Sequence, residues 1–145
     1  MKNQININRV AILVVLLLCT SPFAFGQALD DHDLILQTQD ILRHNGINIG
    51  NTGIRIQNLN DKRSLVINLS GRRTIIVDMV YNTFYNVGGV IQKAKEPIDQ
   101  IVINASAQYK GTETYYFQAL AKHVEQLYNR TISADEFINN CLIIR

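Results

Sequence analysis

Only two cysteines occur among the 145 residues, Cys19 and Cys141. Cys19 lies in an apolar run near the N-terminus, so a domain that begins after this run keeps Cys141 alone. Exported domains that depend on disulfides carry an even set of cysteines. We therefore expect the core to hold this fold, with Cys141 as a buried small hydrophobic residue. The alternative, an intermolecular disulfide, requires an exposed thiol.

The sequence also lacks the short motifs of common catalytic and nucleotide-binding sites. It has no P-loop, G-x-G-x-x-G, C-x-x-C or H-E-x-x-H, and no serine stands in a G-x-S-x-G or S-x-x-K arrangement. In so short a chain few positions remain for an unconventional site. We therefore predict no catalytic residue, no cofactor and no metal ligand.

An excess of charge of one sign is missing as well. The chain has 14 basic and 12 acidic residues, and the first 26 residues hold two of the basic ones, Lys2 and Arg9, and no acidic one. The remainder therefore carries 12 residues of each sign. Because a neutral domain binds nucleic acid and anionic membranes poorly, we expect no nucleic-acid partner.

The first 26 residues have the layout of a secretory signal peptide. Lys2 and Arg9 give a positive start, residues 10–18 form an unbroken apolar run, and Pro22 is among the helix-breaking and small residues that follow. This run is shorter than the roughly 20 apolar residues that bridge a bilayer. We expect an exported protein, periplasmic or secreted, with no transmembrane segment in the mature chain.

Small residues mark two cleavage points, before Gln27 or before Leu29. We divide the chain into a signal peptide, 1–26, and a single domain, 27–145, of about 119 residues. A domain of this size can bury a sufficient core without disulfide or metal cross-links. A lipid anchor on Cys19 would require a small residue before it, where the sequence has leucines. We therefore expect no lipid anchor.

Hydrophobic periodicity predicts an α+β domain with elements in the order α-β-β-α-β-α-α. Helices are predicted over 33–45, 73–95, 111–129 and from Ala134, and strands over 54–57, 64–70 and 101–107. The first two strands form a hairpin, and the strand–helix–strand passage favours a right-handed crossover to a parallel third strand. We expect a sheet of about three strands with helices packed mainly on one face.

Two local signals refine the helices. The segment Ser133-Ala134-Asp135-Glu136 is a capping box, with Ile132 and Phe137 placed as its hydrophobic staple. Gly88-Gly89 interrupts the long helix at a cost of about 1 kcal/mol per glycine. The pair marks either a kink or a close approach of another backbone.

Possible metal-ligand types are concentrated at the start of the first helix. His32 stands among Asp30, Asp31 and Asp33. Consecutive residues at a helix start point in different directions, whereas aspartates there suit the free backbone N–H groups. We expect helix capping rather than a metal site.

The sheet face turned away from the helices is predicted to be mildly polar and uncharged at its centre. The face is predicted to show Arg55, Gln57, Val66, Asn68, Val102, Asn104 and Ser106. We predict that its polar members bind a partner: Arg55, Gln57, Asn68, Asn104 and Ser106. Tyr81 and Tyr85, four residues apart on the long helix, are a second candidate contact, because exposed tyrosines offer apolar area and a hydroxyl with little entropy loss. Half-buried core tyrosines are the alternative.

Two basic pairs flank the second strand. Lys62-Arg63 and Arg72-Arg73 are predicted to lie about 20 Å apart at its two ends, so we expect solvated ends rather than one basic patch. Arg72 and Arg73 at a helix start are a candidate anion site for a phosphate or carboxylate. An exposed turn with solvated arginines is the alternative.

These observations favour a non-enzymatic module, exported to the periplasm, that binds a protein, for instance as an accessory subunit of an envelope or secretion assembly. A small exported hydrolase or metal-dependent enzyme that uses His32, His44 or His123 is the alternative. A third hypothesis is a self-associating structural protein, a homo-oligomer joined through Cys141 or through the tyrosine pair.

Overall fold

The computed structural model describes residues 28–50, 52–108 and 111–145. The predicted signal peptide, residues 1–26, and the lipidation hypothesis for Cys19 lie outside the described residues. The elements are α1 (Asp31–His44), β1 (Ile54–Leu59), β2 (Lys62–Arg72), α2 (Ile76–Ile91), β3 (Gln100–Gln108), β4 (Thr112–Leu120), α3 (Ala121–Tyr128), α4 (Ala134–Glu136), which continues as a π-helix (Phe137–Cys141), and β5 (Ile143–Ile144). No helix within the described ranges is long and apolar enough to span a bilayer.

The domain is α+β, with a mixed sheet of five strands in the order β1-β2-β3-β4-β5. β1 and β2 form the predicted hairpin. Asn60 and Asp61 make its turn with φ angles of 51° and 59°, the left-handed conformation that a type I′ hairpin turn requires at both central residues and that Asn and Asp tolerate. β2 and β3 pair in parallel, with Val66 opposite Val102, as the crossover predicts.

The prediction of a helix over 111–129 is wrong in its first half. Thr112–Leu120 is strand β4, antiparallel to β3 with Ile103 opposite Phe117, and only Ala121–Tyr128 is helical. Threonines and the aromatic run 115–117 favour an extended chain. A segment that returns beside β3 also gains a full ladder of backbone hydrogen bonds.

A fifth strand further corrects the prediction of about three strands. β5 pairs with Phe117 and Gln118 of β4, and Arg145 exchanges two backbone hydrogen bonds of 2.9 Å with Tyr116. The element order is therefore α-β-β-α-β-β-α-α-β rather than the predicted order.

α2 is shorter than the predicted helix over 73–95. β2 runs on to Arg72, and the Ile75 N–H donates to the Arg72 carbonyl oxygen at 3.1 Å. This turn delays the start of the helix to Ile76. The β-branched residues 74–77 favour such a late start, because they lose side-chain freedom in a helix.

The core lies between the helices and one face of the sheet. Alternate strand residues such as Leu65, Ile67 and Ile101 form one buried cluster with residues of the helices. Phe84 of α2 meets Phe137 in this cluster, edge to face, with ring centroids 5.4 Å apart. The helices therefore pack on one sheet face, as expected.

The glycine pair of α2 lies where α3 crosses it. A Cβ placed on Gly88 would lie 2.6 Å from the Val124 carbonyl oxygen and 2.6 Å from the Tyr128 Cβ. α2 continues through both glycines. The pair therefore marks a close approach of backbones rather than a break.

The two basic pairs lie at opposite ends of β2, as predicted, but Arg63 is not solvated. Its side chain is 16% exposed and forms ion pairs with Asp31 and Glu96. It also donates to the carbonyl oxygens of Glu96 and Pro97, at 2.6 and 3.2 Å. Arg63 thereby joins the start of α1 and the loop after α2 to the sheet.

Candidate functional site

The predicted sheet-face residues lie together, opposite the core cluster. Val66 stands in register between Arg55 and Val102. Val66 and Val102 are each only 1% exposed. Among the other predicted residues of this face, Arg55 is exposed, and the remaining ones are half-buried: Gln57, Asn68, Asn104 and Ser106. The two valines at the centre of this face are therefore closed to solvent.

Polar side chains on this face hydrogen-bond to one another across the strands. Gln100 Nε2 donates to Ser64 Oγ at 2.8 Å, and Gln118 Nε2 donates to Gln100 Oε1 at 2.6 Å. Asn104 Nδ2 donates to Asn68 Oδ1 at 2.9 Å. A partner would have to replace these bonds in order to use the amides. The geometry therefore does not favour polar recognition on this face.

Arg72 and Arg73 do not meet a helix terminus. Arg72 is the last residue of β2, and α2 begins only at Ile76. Arg73 Nε also lies 3.7 Å from the Glu113 carboxylate, which would repel an incoming anion. The geometry does not favour an anion site here.

The aspartates around His32 have structural roles. Asp30 caps α1 by accepting a hydrogen bond from the Asp33 N–H at 2.9 Å, and Asp31 is paired with Arg63. Within the described ranges no group of three or more His, Cys, Asp or Glu residues is placed to hold a metal ion.

The other two histidines lack a catalytic partner in the described part of the chain. His44 Nδ1 lies 2.8 Å from the Asp40 carbonyl oxygen, one turn back on α1. His123 Nδ1 is buried and has no hydrogen-bond partner among the described residues. Burial, with a smaller effect of the Lys122 charge, lowers the pKa of His123. A histidine with no serine or carboxylate beside it does not form a nucleophile–base pair.

Cys141 ends the π-helix and is half-buried rather than fully buried. Burial, followed by the charge of Glu136, raises the pKa of its thiol. Disulfide exchange needs the thiolate, which a raised pKa makes scarce at neutral pH. The environment of Cys141 therefore does not favour an intermolecular disulfide.

A groove of about 650 Å³ opens between α2 and the segment that follows α3. We term it the tyrosine groove, and its lining residues are Tyr81, Asn82, Tyr85, Leu127, Arg130, Thr131, Ile132, Ser133 and Ala134. The predicted tyrosine pair forms one wall, because residues four apart share one side of a helix.

The tyrosine pair contacts the core and also lines the groove. Tyr81 and Tyr85 are half-buried and pack against the core, yet both line the groove. The ring of Tyr85 is tilted against that of Tyr128, with centroids 5.7 Å apart. Tyr128 is 40% exposed and also lines a second groove, of about 380 Å³, between α1 and α2. The tyrosines thus connect two grooves on the helical side of the molecule.

The opposite wall is a short segment held by hydrogen bonds. The Thr131 N–H and hydroxyl both donate to the Gln126 carbonyl oxygen, at 2.9 and 3.1 Å. Ser133 Oγ accepts a hydrogen bond from the Glu136 N–H at 3.1 Å, which confirms the predicted cap. Arg130 has a φ of 59°, a left-handed conformation that bulky residues hold only where the surrounding structure imposes it.

Arg130 is the single charged residue among those that line the tyrosine groove. A hydrogen bond with the Tyr85 side chain raises the pKa of Arg130. Both side chains can donate hydrogen bonds to a ligand, the guanidinium through its N–H groups and the phenol through its hydroxyl. The described lining therefore presents a cation and phenolic hydroxyls without a carboxylate.

Sequence reasoning identifies Tyr81 and Tyr85 but not Arg130. Arg130 reaches the groove because α3 ends at Tyr128. The sequence does not predict this position, because a helix predicted over 111–129 does not show how α3 crosses α2. The one signal in the sequence is the short distance from that helix to the Ser133 cap, which forces a tight turn. The structure also separates the tyrosines from the sheet face, because α2 packs on the opposite side of the sheet.

Comparison with known proteins gives no match: no family model, no curated protein and no solved structure matches this chain.

Proposed function

We propose that this protein is an exported, non-enzymatic module that binds a segment of a partner protein in the tyrosine groove. The observation that carries the proposal is the wall formed by Tyr81 and Tyr85, which pack on the core and still face the groove. Tyrosines held in this way lose little side-chain entropy on binding, and tyrosine is enriched in protein interfaces.

The dimensions and the rigidity of the groove support this proposal. Its volume of about 650 Å³ lies within the range of roughly 300–1,000 Å³ that is usual for binding sites. Leu127 is buried and Ile132 is half-buried in the same lining, which adds apolar surface. Because hydrogen bonds already fix this wall, it loses little conformational entropy when a ligand binds.

The lining favours binding over hydrolysis. Thr131 and Ser133 carry the hydroxyls of the far wall, and each is engaged with a backbone group. No histidine, cysteine or carboxylate stands among the described lining residues to activate either one. A hydroxyl without an adjacent base is a weak nucleophile.

Export is the second part of the proposal and rests on the N-terminal sequence. A positive start, a short apolar run and small residues before Gln27 support secretion through a cleaved signal. The equal numbers of basic and acidic residues beyond residue 26 support a protein partner over nucleic acid. An accessory role in an envelope or secretion assembly fits both features.

Site-specific photo-cross-linking in living cells tests the proposal. We would replace Tyr81 with the photoreactive amino acid p-benzoylphenylalanine and identify adducts by mass spectrometry. Tyr116 is the matched control, because it is another half-buried tyrosine, on β4, that does not line the groove. We expect one partner protein to be linked from position 81 and not from position 116.

Other outcomes would contradict the proposal. Adducts from position 116 alone would place the contact on the sheet. Adducts between two copies of this chain would favour the self-associating structural protein. No adduct from either position would contradict protein binding and favour the small hydrolase instead.

A further inference from the structure

Unlike Arg43 and Arg63, Arg130 has no acidic partner among the described residues. Arg43 lies 3.5 Å from the Asp40 carboxylate, and Arg63 is paired with Asp31. Arg130 instead lines the tyrosine groove together with Tyr85. A guanidinium in a groove whose described lining holds no carboxylate is available to pair with an incoming anion.

The groove offers further donors beside this cation. The Tyr85 side chain lines the same groove as Arg130, and its phenolic hydroxyl can donate a hydrogen bond to a ligand. Tyr81 and the side-chain amide of Asn82 line the same groove, and neither side chain is hydrogen-bonded to another described residue. The described lining therefore offers several hydrogen-bond donors that are not already in use. This arrangement suits a ligand rich in acceptor oxygens.

The amount of charge distinguishes between kinds of anion. One guanidinium neutralises one negative charge, and no second cation stands among the described lining residues. A phosphoryl group carries about −1.5 to −2 charges at neutral pH and would be left partly uncompensated. A carboxylate carries one charge and matches the planar fork of a guanidinium with two parallel hydrogen bonds.

We propose that the tyrosine groove recognises an acidic segment of the partner protein, in which one Asp or Glu carboxylate pairs with Arg130 and accepts a hydrogen bond from the Tyr85 hydroxyl. A neighbouring aliphatic side chain of that segment packs against Ile132 and Leu127. This inference rests on the proposed function and specifies the chemistry of its ligand.

Short peptides of defined charge test the inference. We would titrate the purified protein with acetyl-Leu-Asp-Leu-amide, its Asn counterpart and its phosphoserine counterpart, and follow backbone amide signals by nuclear magnetic resonance. We expect the Asp peptide to shift the signals of residues 81–85 and 130–133 and to bind about 10-fold more tightly than the Asn peptide, the difference typical of a charge-assisted hydrogen bond.

Matched variants assign this preference to the groove. Arg130→Gln should abolish the preference for Asp over Asn, and Arg130→Asn, which suits a left-handed backbone, serves if the first variant fails to fold. Tyr85→Phe should weaken binding of the Asp peptide by about 3-fold or more through the lost hydroxyl. Arg72→Gln, which removes an exposed arginine from the end of β2, should leave the preference unchanged.

The results separate this inference from the proposed function. Equal binding of the Asp and Asn peptides in the groove, or tighter binding of the phosphoserine peptide, would overturn the single-carboxylate inference while cross-linking from Tyr81 still stood. A preference that survives in Arg130→Gln would overturn it as well. No shift in the groove with any peptide would also overturn it, and the absence of adducts from Tyr81 would overturn the proposed function independently.

Discussion

Gly88 shows at the scale of one residue how packing can outweigh intrinsic preference. Glycine is a poor helix former, by about 1 kcal/mol relative to alanine. The sequence therefore contains a local penalty within α2. The structure explains it, because the Val124 carbonyl oxygen occupies the space that a Cβ at residue 88 would need. Two helix backbones can approach this closely only where one of them lacks side chains.

Gly88→Ala should therefore destabilise the protein although it improves helix propensity. Overpacking a well-packed site costs typically 1–3 kcal/mol, and backbone atoms give way less easily than the end of a side chain. We expect the free energy of unfolding, measured in urea, to fall by about 1–3 kcal/mol. Gly50→Ala is the control, because a Cβ at that residue would meet nothing within 4 Å. A Gly88→Ala variant as stable as the wild type would contradict this packing.

His123 should make the stability of the fold depend on pH. Burial lowers its pKa in the folded state below the ordinary value of 6.5. At a pH between these two values the unfolded chain binds more protons at this residue than the folded chain does. The free energy of unfolding therefore falls as the pH drops from 6.5 through the folded pKa. Below the folded pKa it changes no further on account of His123.

We expect His123→Gln to remove this part of the pH dependence, whereas His44→Gln, at an exposed residue, should leave it. Urea midpoints measured from about pH 7.5 down to about pH 5 would show the difference. Parallel pH profiles for the wild type and His123→Gln would count against an effect of His123.

At the scale of the element, β4 shows where periodicity is ambiguous. Tyr116, Phe117 and Leu120 fit the inner face of a helix, and the same segment alternates as a strand. Only the presence of β3 decides between the two, because β3 supplies partners for the backbone N–H and C=O groups of 112–120. A pattern within one segment cannot contain this information.

The helix that begins at Ala134 illustrates the opposite case. The Ser133 cap is a contact between residues three apart, so it is encoded locally. We expect Ser133→Ala to lower the free energy of unfolding by about 1 kcal/mol, the usual cost of a lost N-cap. Ser70→Ala, at an exposed serine of β2, should change it by less than about 0.5 kcal/mol. Equal effects of the two substitutions in chemical denaturation would argue against the cap.

At the scale of the whole molecule, Arg63 connects parts of the chain that are distant in sequence. Arg63→Gln should lower the free energy of unfolding by about 1–3 kcal/mol, because the carbonyl oxygens of Glu96 and Pro97 lose a charged donor. Arg43→Gln removes an ion pair whose two side chains are 57% and 66% exposed, and should cost less than about 1 kcal/mol. Thermal or urea unfolding of both variants checks that Arg63→Gln loses more stability than Arg43→Gln. A larger loss in Arg43→Gln would contradict this prediction.

The proposed signal peptide leads to a prediction for the complete chain. Mass spectrometry of the exported protein should find Gln27 or Leu29 at its N-terminus. The domain should then unfold as one unit, because Leu29 is already part of the core cluster and its N–H donates to the Lys93 carbonyl oxygen at 2.8 Å. An exported form that keeps residues 1–26 would refute cleavage.

Sequence reasoning predicted the α+β class, the hairpin, the parallel pair of strands and the tyrosine pair, but it missed two strands and Arg130. The hairpin turn and the tyrosine pair depend on residues within four positions of one another. Arg130 enters the site only because α3 crosses α2 at Gly88 and then turns back toward Tyr85. This crossing joins segments about 40 residues apart, beyond the reach of any local pattern.

Local physical chemistry thus accounts for the turn at Asn60 and Asp61, the caps at Asp30 and Ser133 and the presence of one core, since backbone angles, short side-chain bonds and periodicity act over a few residues. Tertiary structure decided the rest. It made 112–120 a strand, placed Arg63 against carbonyl oxygens, and brought Arg130 to a wall of tyrosines. Each of these outcomes depends on hydrogen-bond partners and excluded space supplied by distant segments, which are set only when the whole chain has packed.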